Sequence, residues 1–344
     1  MNYIGSKQKL LPFLFESIYR ITGENIQDKV FCDLFAGTGA VSRAFKPLVK
    51  QVICNDFEYF SYALNLNYIG NNKELDYAKY LQKLNNVDIT SQGFIYNNYC
   101  MGSGSQRQYF SNLNGMKIDA MRAQIEQWKQ AKEVNSNLYY FLLASLLESA
   151  DKVANTASVY GAFLKDIKAS AKKVIYIEPA KFELSENTHQ VYNEDSNSLI
   201  HKISGDILYL DPPYNARQYG SNYHMLNTIA KYDNFEPKGK TGLRDYQKSD
   251  YCSKQKVVTA FEDIIKNAQF KHIFLSYNNE GLMSQETVKE VMQKYGHYDL
   301  VVKEHSRFRS DKEERRNHKA NKTFEYMHIL EKIKLTRPIR KIPC

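Results

Sequence analysis

The chain has 344 residues, of which 43% are hydrophobic and 25% are charged. This composition is that of a soluble globular protein rather than a low-complexity chain, and the length allows one large domain or two ordinary ones. Because 47 Lys and Arg outnumber 38 Asp and Glu, the formal net charge is +9. This charge favours a polyanionic partner without identifying one.

The five cysteines are scattered along the chain and form no CxxC pair. This argues against both a zinc site and a disulfide framework, and it predicts a cytoplasmic protein. The most apolar run, residues 138–147, is too short to cross a bilayer and is predicted to form a buried helix. The N-terminal residues lack a signal-peptide pattern. We therefore expect no bound metal and no membrane association.

The first part of the chain alternates between strands and helices. Apolar residues at helical spacing predict a helix over residues 7–20. Strands are predicted at residues 30–33 and 51–55, each followed by a helix, at about 40–46 and 59–69. A glycine loop joins the first strand to its helix. This order is typical of a doubly wound α/β sheet.

The alternation stops between residues 70 and 185, where the pattern is helical apart from a polar and aromatic loop. Helices are predicted there at residues 74–84, 117–133 and 137–154, with the loop at 94–114. The alternation then resumes, with strands at 191–193, 206–210, 272–275, 299–303 and 323–330 and helices at 223–231, 254–267 and 285–295. We therefore predict a sheet domain formed by residues 1–69 and 186–344, with a mainly helical insertion at 70–185. Residues 236–255 are predicted to form a second excursion from the sheet edge.

The glycine loop predicts a nucleoside-binding site. A dinucleotide fingerprint needs another glycine three positions after Gly39, but Ser42 stands there, which argues against a pyrophosphate. Asp56 follows the second strand, where an acid binds ribose in such folds, although it is also suited to cap the next helix. A nucleoside bearing a small charged group fits this pattern, and S-adenosylmethionine is the common example.

The motif Asp211-Pro212-Pro213-Tyr214 follows an apolar run that is predicted to be a buried strand. An ordinary proline turn is the alternative reading. In the functional reading, the Asp211 carboxylate and the Pro212 carbonyl each accept an N–H of an exocyclic amine, while Tyr214 stacks on the base. The two acceptors would hold the positive charge that develops during methyl transfer. An amine inside a duplex is reachable only after base flipping.

The chain resembles the N6-adenine-specific DNA methyltransferases of the DNA adenine methylase (alpha) group. The resemblance rests on five segments in order, residues 3–7, 33–39, 55–56, 192–195 and 211–214. It implies a Rossmann-like S-adenosylmethionine-dependent sheet with an inserted, mainly helical target-recognition domain, which matches the break at 70–185. It also implies methylation of a flipped-out adenine in a specific double-stranded DNA sequence, by a restriction-modification or an orphan methylase.

The same resemblance implies a set of cofactor-binding residues, namely Tyr3, Lys7, Asp33, Phe35, Gly37, Gly39, Asp56 and Asp195. Tyr3 and Lys7 would contact the cofactor from the N-terminal segment. Phe35 and the glycines would shape its methionine end, and Asp56 would hold the ribose hydroxyls. Asp195 would contact its adenine; from the sequence alone, capping of the following short helix is the alternative.

Two segments are candidates for contact with DNA. Residues 303–322 contain eight Lys or Arg and four acids, and phosphate contacts are predicted for Arg307, Arg309, Arg315, Arg316 and Lys319. A solvated loop between two strands is the alternative. In the insertion, Arg107 and Gln108 are of the types that read guanine and adenine edges, although a polar loop tip looks the same.

Two other functions remain open at this stage. The same tetrapeptide occurs in methylases of guanine amines in ribosomal RNA, but those are shorter and lack a large insertion. A catalytically silent relative would be expected to have lost the glycine loop, Asp56 or Asp211. For an adenine methylase, we expect double-stranded DNA as partner and a monomer or weak dimer. A cognate restriction endonuclease, where one accompanies the methylase, is expected to act separately.

Overall fold

The computed structural model describes residues 7–306 and 322–333. Its strands are β1 (Val30–Asp33), β2 (Gln51–Asn55), β3 (Gln190–Tyr192), β4 (Ser204–Leu210), β5 (Gln269–Asn278), β6 (Gly296–Ser306) and β7 (Lys322–Lys332). In the described residues they form one seven-stranded sheet in the order β3-β2-β1-β4-β5-β7-β6. The first five strands of this order are parallel, and β7 is antiparallel to both β5 and β6. The expected mixed α/β class is confirmed.

The helices are α1 (Leu11–Thr22), α2 (Ala40–Phe45), α3 (Tyr59–Asn65), α4 (Ala78–Asn85), α5 (Phe94–Tyr99), α6 (Asn112–Gln130), α7 (Ser136–Val153), α8 (Ala169–Lys172), α9 (Ser196–Leu199), α10 (Tyr219–Asn222), α11 (His224–Lys231), α12 (Val257–Asn267) and α13 (Gln285–Gln293). A 3₁₀ turn at Lys7–Leu10 precedes α1, and a π turn at Leu66–Gly70 continues α3. No helix within residues 7–306 combines the length and apolar character that a membrane span requires.

The central strands separate two apolar cores, because successive strand residues point to opposite faces of a sheet. Phe31 and Tyr209 pack into the core that contains the apolar faces of α1, α2, α3, α7 and α11. Cys32 and Leu208 pack into the core on the other face, with α12 and α13. Helices therefore cover both faces, so β1 and β4 are buried and their carboxyl ends open at one edge.

The segment 70–185 contributes helices but no strand to the described sheet. Its two long helices begin at side-chain caps: Asn114 N donates to Ser111 Oγ before α6, and Leu138 N donates to Asn135 Oδ1 before α7. Its apolar residues join the core on the α1 face of the sheet. The role of this segment as a target-recognition domain stays a prediction.

Several element boundaries differ from the sequence-based prediction. The loop expected at 94–114 contains α5, whose six residues are too few for a helical period to be recognised. The helix predicted at 59–69 ends at Asn65, and the chain continues as the π turn, where Asn71 N donates to Leu66 O at 3.0 Å. Strands β5 and β6 are longer than expected. Pairing with β4 extends the start of β5, and pairing with β7 extends the end of β5 and the whole of β6.

Candidate active site

A cavity opens where the carboxyl ends of β1, β2 and β4 lie side by side. Seven of the residues selected from the sequence line it, namely Lys7, Asp33, Phe35, Gly37, Asp56, Asp195 and Asp211. Gly39, Pro212 and Tyr214 belong to the same loops but do not line the cavity. Tyr3, Arg307, Arg309, Arg315, Arg316 and Lys319 lie outside the described residues.

The glycine loop adopts a shape that side chains would oppose. Gly37 and Gly39 have φ angles of 53° and 79°. A Cβ on Gly39 would lie 2.1 Å from Asn65 Oδ1, while Asn65 Nδ2 donates to Gly37 O at 2.9 Å. Asn65 therefore holds the loop from the end of α3. This residue was not predictable from the sequence, because a lone Asn inside a helical pattern gives no signal.

Asp56 links the glycine loop to the start of α3. Its Oδ2 accepts from Gly37 N at 2.7 Å, and its Oδ1 accepts from Glu58 N at 2.9 Å. Burial is the main cause that raises the pKa of Asp56 to about 7. The N-cap position of α3 belongs to Glu58, so Asp56 is not its N-cap residue. Its carboxylate lines the cavity and keeps lone pairs for a ligand.

Asp33 is buried at the end of β1 and has one oxygen in use. Ser42 Oγ donates to Asp33 Oδ2 at 2.7 Å, whereas Asp33 Oδ1 has no hydrogen-bonding partner among the described residues. Burial raises the pKa of Asp33 to about 7, against the lowering effect of the Ser42 hydrogen bond. Ser42, the residue that breaks the dinucleotide fingerprint, thus fixes this carboxyl group.

Asp211 follows β4 and forms an ion pair with Lys7. The Lys7 Nζ lies 3.0 Å from Asp211 Oδ1, and the two side chains are 8% and 17% exposed. Burial raises the pKa of Asp211, and the charge and hydrogen bond of Lys7 oppose that rise. Burial lowers the pKa of Lys7, but the charges of Asp211 and Glu325 outweigh it, so the Lys7 pKa is raised. The ion pair therefore opposes protonation of the Asp211 carboxylate.

The rest of the tetrapeptide forms a firm lip beside the cavity. Pro212 is buried, and Tyr214 is partly buried against the core on the α12 face. Leu282 N donates to Tyr214 O at 3.0 Å, which anchors the lip to the segment after β5. Burial raises the pKa of Tyr214, so its phenol is neutral. Part of the residue's surface is exposed.

The excursion at 236–255 forms a wall of the cavity that the sequence analysis did not assign to the site. Ser249 N donates to Gln218 Oε1 at 2.8 Å, and Gln218 Nε2 donates to Ser249 O at 3.4 Å. The Tyr251 ring packs edge-on against Phe35 with centroids 5.0 Å apart. Gln218, Ser249 and Tyr251 all line the cavity. The only signal in the sequence was the frequency of Tyr in this segment.

Asp195 is the N-cap residue of α9, which confirms the alternative prediction that it caps the short helix. Its Oδ1 accepts from Ser198 N at 3.0 Å. The residue also lines the cavity, next to Ser196. Nearby, Asn55 Nδ2 donates to Leu34 O at 3.1 Å and to Glu194 O at 3.2 Å, which ties together the ends of β1, β2 and β3. Binding of a ligand by Asp195 stays a prediction.

Arg107 and Gln108, the predicted base-reading residues, have protein partners. Arg107 donates to main-chain carbonyls on two segments, including Gly239 O at 3.0 Å and Asn98 O at 3.3 Å. Gln108 Nε2 donates to Leu164 O at 2.7 Å and also to Lys165 O. These contacts favour a structural role, in which both side chains hold neighbouring loops together.

The chemistry of the cavity fits S-adenosylmethionine, which carries positive charge on its sulfonium and ammonium groups. Carboxylates outnumber cations among the described lining residues: Lys7 stands against Asp33, Asp56, Glu58, Asp195 and Asp211. The partnerless Asp33 oxygen provides a buried acceptor for such a ligand. The aromatic pair of Phe35 and Tyr251 offers an apolar surface for a nucleoside.

Curated proteins of similar sequence are DNA-modification enzymes by name. The Type II methyltransferase M.NlaIII of Neisseria lactamica is 62% identical over 333 residues, which cover 96% of this chain and 99% of that protein. M.CviAII of Paramecium bursaria Chlorella virus 1 is 37% identical over 316 residues, covering 90% and 93%. M.FokI of Planomicrobium okeanokoites is 37% identical over 358 residues, covering 99% of this chain but 54% of that longer protein.

The family assignment agrees with the site. The sequence profile of the D12 class N6 adenine-specific DNA methyltransferases matches residues 3–291, a span that includes every described residue lining the cavity. The α/β sheet is thus the Rossmann-like fold of S-adenosylmethionine-dependent methyltransferases, and adenine N6 is favoured over a guanine amine in ribosomal RNA. The chain belongs to the D12 class of N6 adenine-specific DNA methyltransferases.

Proposed function

We propose that this chain transfers a methyl group from S-adenosylmethionine to the N6 amine of an adenine flipped out of a specific double-stranded DNA sequence. The observation that carries the proposal is the shared cavity, into which both the glycine loop and Asp211 open. A role as the modification enzyme of a restriction-modification system is supported by the names of its relatives, which are Type II methyltransferases. A cognate endonuclease would act as a separate protein.

In this proposal, the residues of β1, β2 and the excursion hold the methyl donor. S-adenosylmethionine supplies, when bound, a methyl group that its sulfonium makes electrophilic. Gly37 and Gly39 let the main chain approach the methionine end. Asp56 accepts from the ribose hydroxyls with lone pairs that Gly37 and Glu58 leave unused. Asp195 accepts from the adenine amine, and Tyr3 adds an aromatic face from the N-terminal segment.

Asp211 and Pro212 activate the amine of the substrate. Each accepts one N–H, the first through its carboxylate and the second through its main-chain carbonyl, which localises the nitrogen lone pair. Both acceptors bind the amine more strongly as positive charge develops on it while the methyl group leaves the sulfur, and this difference lowers the barrier. The methylated amine then releases its extra proton to solvent, and the donor leaves as the uncharged thioether S-adenosylhomocysteine. The ion pair with Lys7 occupies Asp211 Oδ1, so the amine either uses the second oxygen or displaces Lys7. Tyr214 stacks on the base and fixes its plane.

The duplex is held by surfaces outside the cavity. We assign target recognition to residues 70–185, and phosphate contacts to the basic residues 307, 309, 315, 316 and 319. Extraction of the adenine costs a few kcal/mol, and stacking on Tyr214 offsets part of it, at ~1–3 kcal/mol for one base. We also propose that the protein is a cytoplasmic monomer or weak dimer.

The test combines a methyl-transfer assay with modification-sensitive sequencing. The chain is expressed in a host that lacks adenine methylation, and the host DNA is sequenced for the modified base and its context. We expect N6-methyladenine at one short sequence. Asp211→Ala is expected to abolish the signal, whereas Asp299→Ala, which breaks a surface ion pair with Arg20, should leave it unchanged. A methyl group found on guanine, on cytosine or on RNA would overturn the proposal.

A further inference from the structure

A buried lysine after α2 touches both ends of the insertion. Lys46 is fully buried, and its Nζ donates to Tyr68 O at 2.8 Å and to Asn71 O at 2.5 Å, where the insertion begins. The same nitrogen donates to Glu183 O at 2.6 Å, where the insertion ends. We call residues 68–72 the first junction and residues 180–187 the second junction. One ammonium group therefore bridges the two junctions.

The hydrogen-bonding capacity of Lys46 is used completely. An ammonium group has three N–H donors, and three main-chain carbonyls accept them. Burial lowers the pKa of Lys46 to about 8, and the charge of Glu183 counteracts it while that of Arg43 adds to it. Burial of a cation without a directly bound carboxylate costs free energy, and the three hydrogen bonds to main-chain carbonyls offset that cost. An apolar side chain at this position would make none of these three hydrogen bonds.

Arg43 reinforces this contact from one turn earlier on α2. Its Nε donates to Glu183 Oε2 at 3.0 Å, and its Nη2 donates to Glu183 Oε1 at 2.6 Å and to Lys181 O at 3.2 Å. The guanidinium also lies over the ring of Tyr68, 4.1 Å from the centroid. Arg43 thus contacts the second junction by hydrogen bonds and the first junction by stacking.

The two junctions are also bonded to each other. Ser185 N donates to Asn72 O at 3.0 Å, and Asn67 Nδ2, just before the first junction, donates to Ala180 O at 2.8 Å. The insertion therefore leaves the sheet domain and returns to it at one place. The part of the sheet domain at that place is α2, whose first residues, Ala40 and Val41, line the cavity.

From these contacts we infer that Lys46 is a positioning residue that fixes the insertion relative to the glycine loop and thereby sets the affinity for the duplex. Helix α2 has only six residues, so its start at the cavity and the lysine after its end move as one rigid unit. The inference rests on the proposed function of the insertion in DNA recognition. It assigns no contact with either substrate to Lys46 itself.

The chain provides a matched control for the test. Lys332 on β7 is also buried, its pKa is also lowered to about 8 by burial, and its Nζ donates to Lys266 O at 2.8 Å and to Ala268 O at 2.7 Å. It touches neither junction. Lys46→Met and Lys332→Met thus remove the same kind of group, and both are expected to lower the melting temperature.

The experiment measures binding of the full-length variants to S-adenosylhomocysteine and to a duplex that carries the methylated sequence. For Lys46→Met we expect the Kd for the duplex to rise about tenfold, because loss of the three hydrogen bonds loosens the junctions, and the Kd for S-adenosylhomocysteine to change less than about twofold. For Lys332→Met we expect both constants to stay within about twofold of the wild type. If Lys46→Met does not fold, Lys46→Gln, which keeps two N–H donors, takes its place.

Hydrogen exchange at the junctions separates the inference from its premise. We expect faster exchange at residues 68–72 and 180–187 in Lys46→Met and unchanged exchange there in Lys332→Met. Unchanged exchange in Lys46→Met, or an equal loss of duplex affinity in both variants, would overturn the positioning role. Faster exchange with full duplex affinity would show that Lys46 holds the junctions but that their position does not affect DNA binding. That result would contradict the premise that the insertion carries DNA recognition, and the inference would fail with it.

Discussion

Lys7 and Asp211 form an ion pair across 203 intervening residues, with Lys7 Nζ 3.0 Å from Asp211 Oδ1. The lysine comes from the 3₁₀ turn before α1, and the aspartate comes from the end of β4. In the proposed mechanism, Asp211 must be ionised to accept an amine N–H. Lys7 therefore does more than line the cavity, because its charge keeps a buried carboxylate in the required state.

The first prediction concerns the pH dependence of Lys7→Met. Burial already raises the pKa of Asp211, and loss of the Lys7 charge raises it further. Because only the ionised carboxylate is active, the acid limb of the pH–rate profile should move to higher pH. Single-turnover methylation rates across the pH range measure this shift. Lys9→Met, two residues away and exposed, is the control, and an unmoved acid limb in Lys7→Met would contradict the prediction.

The second prediction separates the ring of Tyr214 from its hydroxyl. Tyr214→Phe keeps the stacking surface and should retain much of the activity. Tyr214→Ala removes it, and the loss of ~1–3 kcal/mol of stacking should lower the single-turnover rate about 10- to 100-fold. Binding of S-adenosylhomocysteine checks that the cavity is intact in both variants. Equal losses in the two variants would assign the function of Tyr214 to its hydroxyl.

The third prediction is a double-mutant cycle at the glycine loop. Gly39→Ala places a methyl group 2.1 Å from Asn65 Oδ1 at a φ of 79°, so it should destabilise the fold by more than the ~1–2 kcal/mol of the backbone strain alone. Asn65→Ala removes the clash and also a hydrogen bond to Gly37 O worth about 1 kcal/mol. In urea unfolding, the double variant should therefore lose less stability than the sum of the single variants. Strict additivity would show that the clash is relieved in another way.

The fourth prediction concerns the stability contributed by Asp33. Its pKa is raised to about 7 by burial, so the folded chain binds a proton that the unfolded chain releases near pH 4. The free energy of unfolding should therefore fall as the pH rises from about 4 to about 7, and should not fall further from this group above that range. Asp33→Asn should remove this slope. The difference in unfolding free energy between the variant and the wild type should therefore favour the variant more at about pH 8 than at about pH 5.

Urea unfolding at the two pH values checks this prediction. Asp56→Asn provides a comparison, because burial also raises the pKa of Asp56 to about 7, but both of its oxygens already accept main-chain hydrogen bonds. Replacement there should lose stability at both pH values. A wild-type stability that rises steadily between these pH values would contradict the assignment for Asp33.

The strand ends that carry the site were predictable from the sequence. An apolar run that stops at an acid predicted Asp211 after β4, and the bounds of β1, which ends at Asp33, and of β2 agree with the expectation. These features are local, because a buried strand and the residue that ends it lie next to each other in the chain. Because parallel strands all end at the same edge of the sheet, the residues at these strand ends come together without any specific long-range contact between them.

Contacts between distant segments were not predictable in the same way. No sequence pattern places Tyr251 against Phe35 or Asn65 against Gly39, because each pair meets only through the packing of other elements. For Arg107, a distant contact occupies a side chain that the sequence suggested was free to bind DNA. A basic residue in a polar loop looks available to DNA, yet its guanidinium donates to carbonyls of residues 237–240 that approach it from far along the chain.

The contacts that hold the two junctions have a consequence for how recognition segments diversify. Lys46 donates only to main-chain carbonyls, which every amino acid carries, so its own contacts place no demand on the side chains of the two junctions. Arg43, in contrast, depends on the side chains of Glu183 and Tyr68. The two junctions are also adjacent, as the hydrogen bond from Ser185 N to Asn72 O shows. On the proposal that residues 70–185 carry target recognition, exchanging this segment at the two junctions is expected to change the DNA sequence that is recognised while Asp33, Asp56 and Asp211 keep their positions.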